Sequence, residues 1–304
     1  MIPPEKALKN ERLMHALTGM SGNEFRELLS AYEHELKLFG RRAYLMNPNP
    51  QRKQGGGKKG VLKTPAEKLF FILLYYKCYP TYDVMSFLYG CDRSAACRRQ
   101  QVLSGILERT LKRKLVLPKR QMRSVEEFLK AFPEAKEMFI DGTERPIQRP
   151  QDKDRQKANY SGKKKRHTRK NIIISTKKKR IGFLSKTVEG KQSDITVLRT
   201  TAPPRFIPKD VKTHVDLGFK GLEAEYPLHR ISIPDKKPRT RDLTETQKEK
   251  NKKKSSIRVL VEHAIGGVKR LGIVSQVFRN WKKDFDDTAM LISCGLWNYH
   301  LAMS

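Results

Sequence analysis

Three carboxylates have the surroundings that metal-dependent chemistry at phosphorus requires. Asp141 lies in FIDGTERPI, at the end of an apolar stretch and directly before a glycine. Asp216 closes the segment THVD, ahead of Leu217-Gly218-Phe219. Glu262 lies in SSIRVLVEHAIGGVKRLGIV, with Arg258 four residues before it and Lys269 seven after. Carboxylates at strand ends converge where the strands are neighbours, and two divalent cations ~4 Å apart need such hard oxygen ligands. Cations held there would activate a water or a 3′-hydroxyl and steady the leaving oxygen at a phosphate. At ~100° per residue, Arg258, Glu262 and Lys269 fall on one helical stripe. Each acid also has a plainer reading. An Asp at a strand end is a common turn former, and Arg-x3-Glu is a common exposed helix pair.

The elements around these residues are legible from pattern. From Glu137 the chain reads as strands over Met138–Thr143, Asn171–Thr176 and Arg180–Lys186, the third turning back on the second through Lys177-Lys178-Lys179. A helix is expected over Ser193–Thr200, with Asp194 read as its cap in preference to a fourth acidic contributor, then strands over Lys212–Asp216 and His229–Ile233. Pro234–Asn251 reads as a polar insertion, and helices close the chain over Lys254–Leu271 and Asp284–Leu301. Such a series suits an α/β domain with a mixed sheet.

The part before it reads as helical. Phe25, Leu28, Leu29, Tyr32, Leu36 and Phe39 recur at helical spacing over Gly22–Gly40. Asn47–Gly60 is rich in Pro, Gly and Lys and reads as an exposed basic linker. Its GGGKKG is no phosphate loop, because Val61 and Leu62 follow in place of the Lys and Ser/Thr that such a loop needs. Thr64-Pro65 opens a helix to about Lys77, Pro80-Thr81 opens a second to Gly90, and Asp92 caps a third from Arg93 to Lys112. This is the outline of a helix-turn-helix. On its third helix Ala96, Leu103, Ile106 and Leu107 form an inward face, and Ser94, Arg98 and Gln101 present themselves to base edges. A plain three-helix bundle would share the pattern.

Composition limits the partners. Of 304 residues, 64 are Lys or Arg and 32 Asp or Glu, a net charge of +32, which attracts polyanions. Charge alone serves a structural RNA binder equally well. Lys153–Lys170 holds nine Lys or Arg and reads as a charged loop, a DNA track with Lys163, Lys164 and Lys165 on phosphates and Tyr160 stacking on an unpaired base. No two of the four cysteines make a Cys-x2-Cys pair, so a zinc site is not expected. MIPPEKALKN lacks the apolar stretch of a signal peptide, and Leu69–Tyr76 is too short for a bilayer span.

Together FIDGTERPIQRP, YSGKKKRHTRKNIII, HVDLGFKG and the helix around Glu262 resemble, in order, the DDE transposases of bacterial insertion sequences in the group related to Harbinger elements. The resemblance implies a ribonuclease-H-like catalytic domain preceded by an all-α helix-turn-helix domain, with boundaries near 1–60, 61–120 and 135–304. It implies Asp141, Asp216 and Glu262 as catalytic metal ligands, Mg²⁺ as cofactor with Mn²⁺ able to substitute, and Arg258 and Lys269 on phosphates. Double-stranded DNA, as terminal inverted repeats and target, is the expected partner of a homodimer formed at the element ends, with no membrane partner. The expected location is cytoplasmic and nucleoid-associated, or nuclear in a eukaryote. Of the Tyr-x2-Arg-x3-Glu-x6-Lys pattern in relatives, this chain keeps all but the tyrosine, which is Ser255; Ser193 stands where relatives often have His. A transposase-derived regulator without catalysis is the alternative.

Overall fold

In the computed structural model, residues 4–56, 60–133, 135–202, 204–238, 240 and 242–304 are described. Gly57, Lys58 and Lys59 of the expected linker lie outside them. The chain forms two compact units, Met1–Leu117 with Arg270–Ile273 and Ala302–Ser304, and Pro118–Lys269 with Val274–Leu301.

The first unit is helical: α1 (Pro4–Leu8), α2 (Glu11–Thr18), α3 (Gly22–Leu45), α4 (Pro65–Cys78), α5 (Tyr82–Tyr89) and α6 (Arg93–Arg113). Caps set most of these starts. Ser21 with Glu24 and Thr64 with Glu67 form capping boxes, Pro65 takes the first turn of α4, and Thr81 accepts from Val84 N–H. Every residue of Leu69–Tyr76 is buried, so the longest apolar run is a helix enclosed on all sides, packed by α2, α3 and α6. Two expectations change. Helix α3 continues past Gly40 to Leu45, because a single helical glycine costs only ~1 kcal/mol and helix-forming residues follow it. Asp92 occupies the cap position of α6, but its carboxylate accepts no cap hydrogen bond.

The second unit contains α7 (Val125–Ala131), β1 (Glu137–Pro146), α8 (Lys153–Asn159), β2 (Tyr160–Ser161), β3 (Arg166–Thr176), β4 (Ile181–Leu184), β5 (Val188–Glu189), α9 (Asp194–Thr201), β6 (Lys212–His214), α10 (Leu222–Glu225), β7 (Ile231–Ser232) and α11 (Glu245–Lys269). After α12 (Gly272–Ser275), α13 (Phe285–Met303) closes the chain. The sheet runs β2-β3-β1-β6-β7, with β4 and β5 also on β3. Central β1 is antiparallel to β3 and parallel to β6, which is parallel to β7. One face of β1, with Met138 and Ile140, enters a core with Phe128, Phe132, Ile172, Ile174, Phe183 and Val215. Helix α11 lies along β1 and β3.

Three further expectations are corrected. The Lys153–Lys170 loop contains α8, β2 and the start of β3; Asp152 caps α8, and the cationic side chains reach solvent from a helix and a hairpin except half-buried Arg169 and buried Lys170. Helix α11 starts at Glu245, nine residues before Lys254, because polar residues with good helix propensity extend it beyond its apolar stripe. Strand β6 stops at His214, before Asp216.

Candidate active site

Strand β1 carries Asp141 out of the apolar interior. Met138, Phe139 and Ile140 are buried, and Asp141 follows, half-buried and opposite Ile173 on β3. On its other side β1 pairs with β6 as far as Phe139↔His214. Asp141 and Asp216 each come two residues after that rung. Since side chains alternate along strands, both acids continue the face of Phe139 and His214, away from the core of Met138, Ile140 and Val215. Asp216 also caps a short 3-10 turn, Leu217–Phe219, by accepting the Gly218 N–H at 2.8 Å. The turn-forming reading and the site reading thus describe the same side chain. Asp141 accepts the Gly142 N–H at 2.7 Å.

A third carboxylate joins this pair, and it is Asp194. The sequence reading made Asp194 a helix cap, but the cap of α9 is Ser193, whose hydroxyl accepts from Thr196 N–H at 3.3 Å. Asp194 at the next position reaches both glycines that follow the strand-end acids. A Cβ on Gly142 would come within 2.7 Å of its carboxyl group, and one on Gly218 within 3.2 Å of its Oδ2. A side chain at either position would press on this carboxylate, and at Gly218 also on Asp216 Oδ1 at 2.9 Å. Buried Lys170 holds Asp194 Oδ1 at 2.9 Å, stands 3.5 Å from Glu144 and donates to Gln192 O at 2.6 Å. The sequence reading counted Lys170 only in the basic DNA track and did not single out Glu144, because their pairing depends on the β1–β3 register Glu144↔Lys170.

The electrostatics follow from this crowding. Burial first, then Asp216, with a further push from Asp194, raises the Asp141 carboxyl to about 6, against the pull of the Gly142 N–H and Arg258. Burial and the neighbouring Lys164 lower the Lys269 ammonium, while Asp141 acts in the opposite direction. Arg258 and Lys269 on α11 therefore both act on Asp141, and Lys164 of the β2–β3 turn acts on Lys269.

Glu262 shares their stripe but is exposed. Among the described residues no group of three or more His, Cys, Asp or Glu side chains is assembled to hold a metal. Full convergence of Asp141, Asp216 and Glu262 is thus not present: the two strand-end acids meet, while Glu262 stands on the helix between Arg258 and Lys269. The donor chemistry still fits a divalent cation. The residues offer hard carboxylate oxygens, and the Asp141 carboxyl is raised by burial and by its anionic neighbours Asp216 and Asp194.

The expected DNA contacts take these positions. Ser94 and Arg98 are exposed on α6, opposite buried Ala96, Leu103, Ile106 and Leu107; Gln101 is half-buried and donates to Cys97 Sγ at 3.4 Å. Lys163, Lys164 and Lys165 form the exposed turn between β2 and β3. Tyr160, 43% exposed, stands edge-on to His167.

A mixed sheet with β1 at its centre, crossed by α11, makes the second unit an α/β fold of the ribonuclease-H-like kind, and three consecutive helices in the first make a helix-turn-helix. Comparison with known proteins agrees. Residues 140–298 match the family DDE superfamily endonuclease, and residues 61–113 match the helix-turn-helix of DDE superfamily endonuclease. The chain is also similar to a protein of Microchaete diplosiphon described as "Probable transposase for insertion sequence element IS702", 30% identical over 255 residues, which are 83% of this chain and 86% of that protein. The chain therefore belongs to the DDE superfamily endonucleases, with the transposases of insertion sequences. No solved structure matches it. Among the described residues no helix is long and apolar enough to cross a membrane.

Proposed function

We propose that this chain is a transposase that binds the terminal inverted repeats of its element and cuts and joins DNA at Asp141, Asp216 and Glu262. The observation that carries the reading is the meeting of Asp141 and Asp216 at the ends of parallel neighbours, with a cationic helix stripe acting on the same carboxyl. Asp141 and Asp216 would hold Mg²⁺, or Mn²⁺ in its place, with Glu262 as the third ligand. The bound ions would activate the attacking oxygen and balance charge on the leaving one. Arg258 and Lys269 would grip the phosphates on either side, and their positive charge would support the charge that develops at phosphorus. Glu262 would complete the site when DNA and cation arrive.

Residues 61–120 would read the inverted repeats through Ser94, Arg98 and Gln101 on α6. Residues 135–304 would hold the chemistry, with residues 1–60 as a helical and basic leader to the reading domain. Lys163, Lys164, Lys165 and Tyr160 would follow the strand near the cut. Two copies would act together, one at each element end. The test is a supercoiled plasmid carrying the element with its flanks, incubated with purified chain and Mg²⁺ or Mn²⁺. Nicks or breaks at the element ends support the reading. Binding to those ends without any cleavage in either metal would instead make the chain a DNA-binding regulator.

A further inference from the structure

A second place in the ribonuclease-H-like unit sets an exposed aromatic ring beside a pocket with a cationic rim. The loop between α12 and α13 carries Trp281, whose indole is 73% exposed. It borders a pocket of about 330 Å³ with apolar walls from Phe278 and Pro150 and cationic groups from Arg155, Lys282 and Lys283. The acids around it are outnumbered: Arg155, Arg169, Lys282 and Lys283 line it with Glu189, Asp284 and Asp286, and Asp286 and Glu189 pair with Arg169 at 3.0 and 3.5 Å.

The pocket is built before any ligand arrives. Phe278 N–H donates to Pro146 O at 2.9 Å, its carbonyl accepts from Gln148 N–H at 3.4 Å, and its ring meets that of Phe285 at 6.0 Å. Asp284 adopts φ 60°, a left-handed conformation uncommon outside glycine, so the loop holds a strained bend beside the indole. The loop is thereby fixed to the far end of β1, the strand that bears Asp141. Six residues from Asp141 to Ile147 at ~3.4 Å each put the pocket about 20 Å along the strand from that carboxylate.

We propose that this pocket receives an unpaired base of DNA, stacked on Trp281, a few nucleotides from the phosphate that is cut. A flat ring with apolar faces and polar edges suits an exposed indole among apolar walls, and the cationic rim suits the flanking phosphates. Tyr160 at the C-terminal end of α8 stands by a separate pocket with Arg149, Lys157 and Lys191, so two aromatic rings flank that helix. The inference rests on the DNA-processing reading of the chain.

Its test needs neither metal nor cleavage. The chain has two tryptophans, and the other, Trp297, donates its ring N–H to Lys179 O at 3.0 Å. Full-length protein is titrated with a DNA duplex bearing a short single-stranded overhang, with a blunt duplex of equal length and with dTMP. The overhang should quench tryptophan emission and the blunt duplex should not. Trp281→Ala should abolish the quench and weaken overhang binding about tenfold, with blunt binding unchanged; Trp281→Phe, which keeps a ring, should restore part of the affinity. Equal quenching by both duplexes, or a Trp281→Ala protein that keeps its overhang preference, overturns the proposal. Quenching by dTMP without overhang preference assigns the pocket to free nucleotides and overturns it too. A chain that cuts element ends yet fails here loses this pocket alone; one that passes here but never cuts loses the transposase reading alone.

Discussion

Phe139 and His214 form the last rung between β1 and β6, their rings stacked 5.0 Å apart at 13°. Two residues beyond that rung, on the same face, stand Asp141 and Asp216. His214 is 2% exposed, and burial, aided by Lys212, lowers its pKa, so a neutral ring closes the rung and adds no charge beside the carboxylates. The stacked pair holds two strands in register where each is about to release an acid.

Asp141→Asn, Asp216→Asn and Glu262→Gln should each lower end cleavage by roughly 10³-fold or more, since each removes a hard anionic ligand while keeping side-chain size. DNA affinity in a gel-shift assay should stay within a few-fold. Full cleavage in any of them removes that residue from the site.

The raised Asp141 carboxyl has a consequence for stability without metal. It binds its proton more tightly folded than unfolded, so its stabilisation is full below its ordinary range near pH ~4 and is lost as pH rises through about 6. Asp216 and Asp194 reinforce this, while Arg258 and Lys269 oppose it. Thermal melts in EDTA should show Asp141→Asn gaining on the parent between pH 4.5 and 7.5, by about 3 kcal/mol at most. A constant difference across that range would contradict the burial and crowding that raise this carboxyl. With Mg²⁺ present the parent should recover, because the cation binds the ionised form.

Gly142→Ala should act on the site through Asp194. The added methyl meets the Asp194 carboxyl at 2.7 Å, and Lys170 holds that carboxyl from the other side. Overpacking of this kind costs ~1–3 kcal/mol. Cleavage should fall further than stability, and the double variant Gly142→Ala, Asp194→Ala should regain much of the lost melting temperature. No recovery in the double variant would show that the strain arises elsewhere.

The two groups of DNA contacts should separate by salt and by sequence. Arg98→Ala with Gln101→Ala should reduce discrimination between inverted repeat and random DNA, each lost base contact being worth ~1–3 kcal/mol. Lys163→Ala, Lys164→Ala and Lys165→Ala together should weaken binding to all sequences and reduce the log–log salt slope by about 3. Filter binding across a salt series measures both. Unchanged discrimination in the first variant would take α6 out of the reading role.

Local patterns wrote much of this chain. Thr64-Pro65 with Glu67 marks the start of α4, Gly90 the turn before α6, and Lys177-Lys178-Lys179 the β3–β4 turn, because caps and tight turns are satisfied by neighbours in sequence. The face of α6 was legible at Ala96, Leu103, Ile106 and Leu107 for the same reason: helical periodicity is local. Asp141 and Asp216 could be singled out from their contexts. That they lie level with one another was decided by the parallel pairing of β1 with β6, across 74 intervening residues that no local rule constrains. Asp194 looked like a cap because its sequence neighbours resemble a helix start; its partners Lys170, Gly142 and Gly218 come from other elements. Leu69–Tyr76 gave no clue to a face, since a helix buried on all sides has no polar side to reveal its orientation. Trp281 gave none either: an indole in a polar loop becomes a candidate binding surface only when Pro150 and Arg155, distant in sequence, join nearby Phe278 in lining a pocket beside it. Periodicity and capping act over about one turn and are written in order along the chain, whereas pockets and converging charges are made by long-range packing.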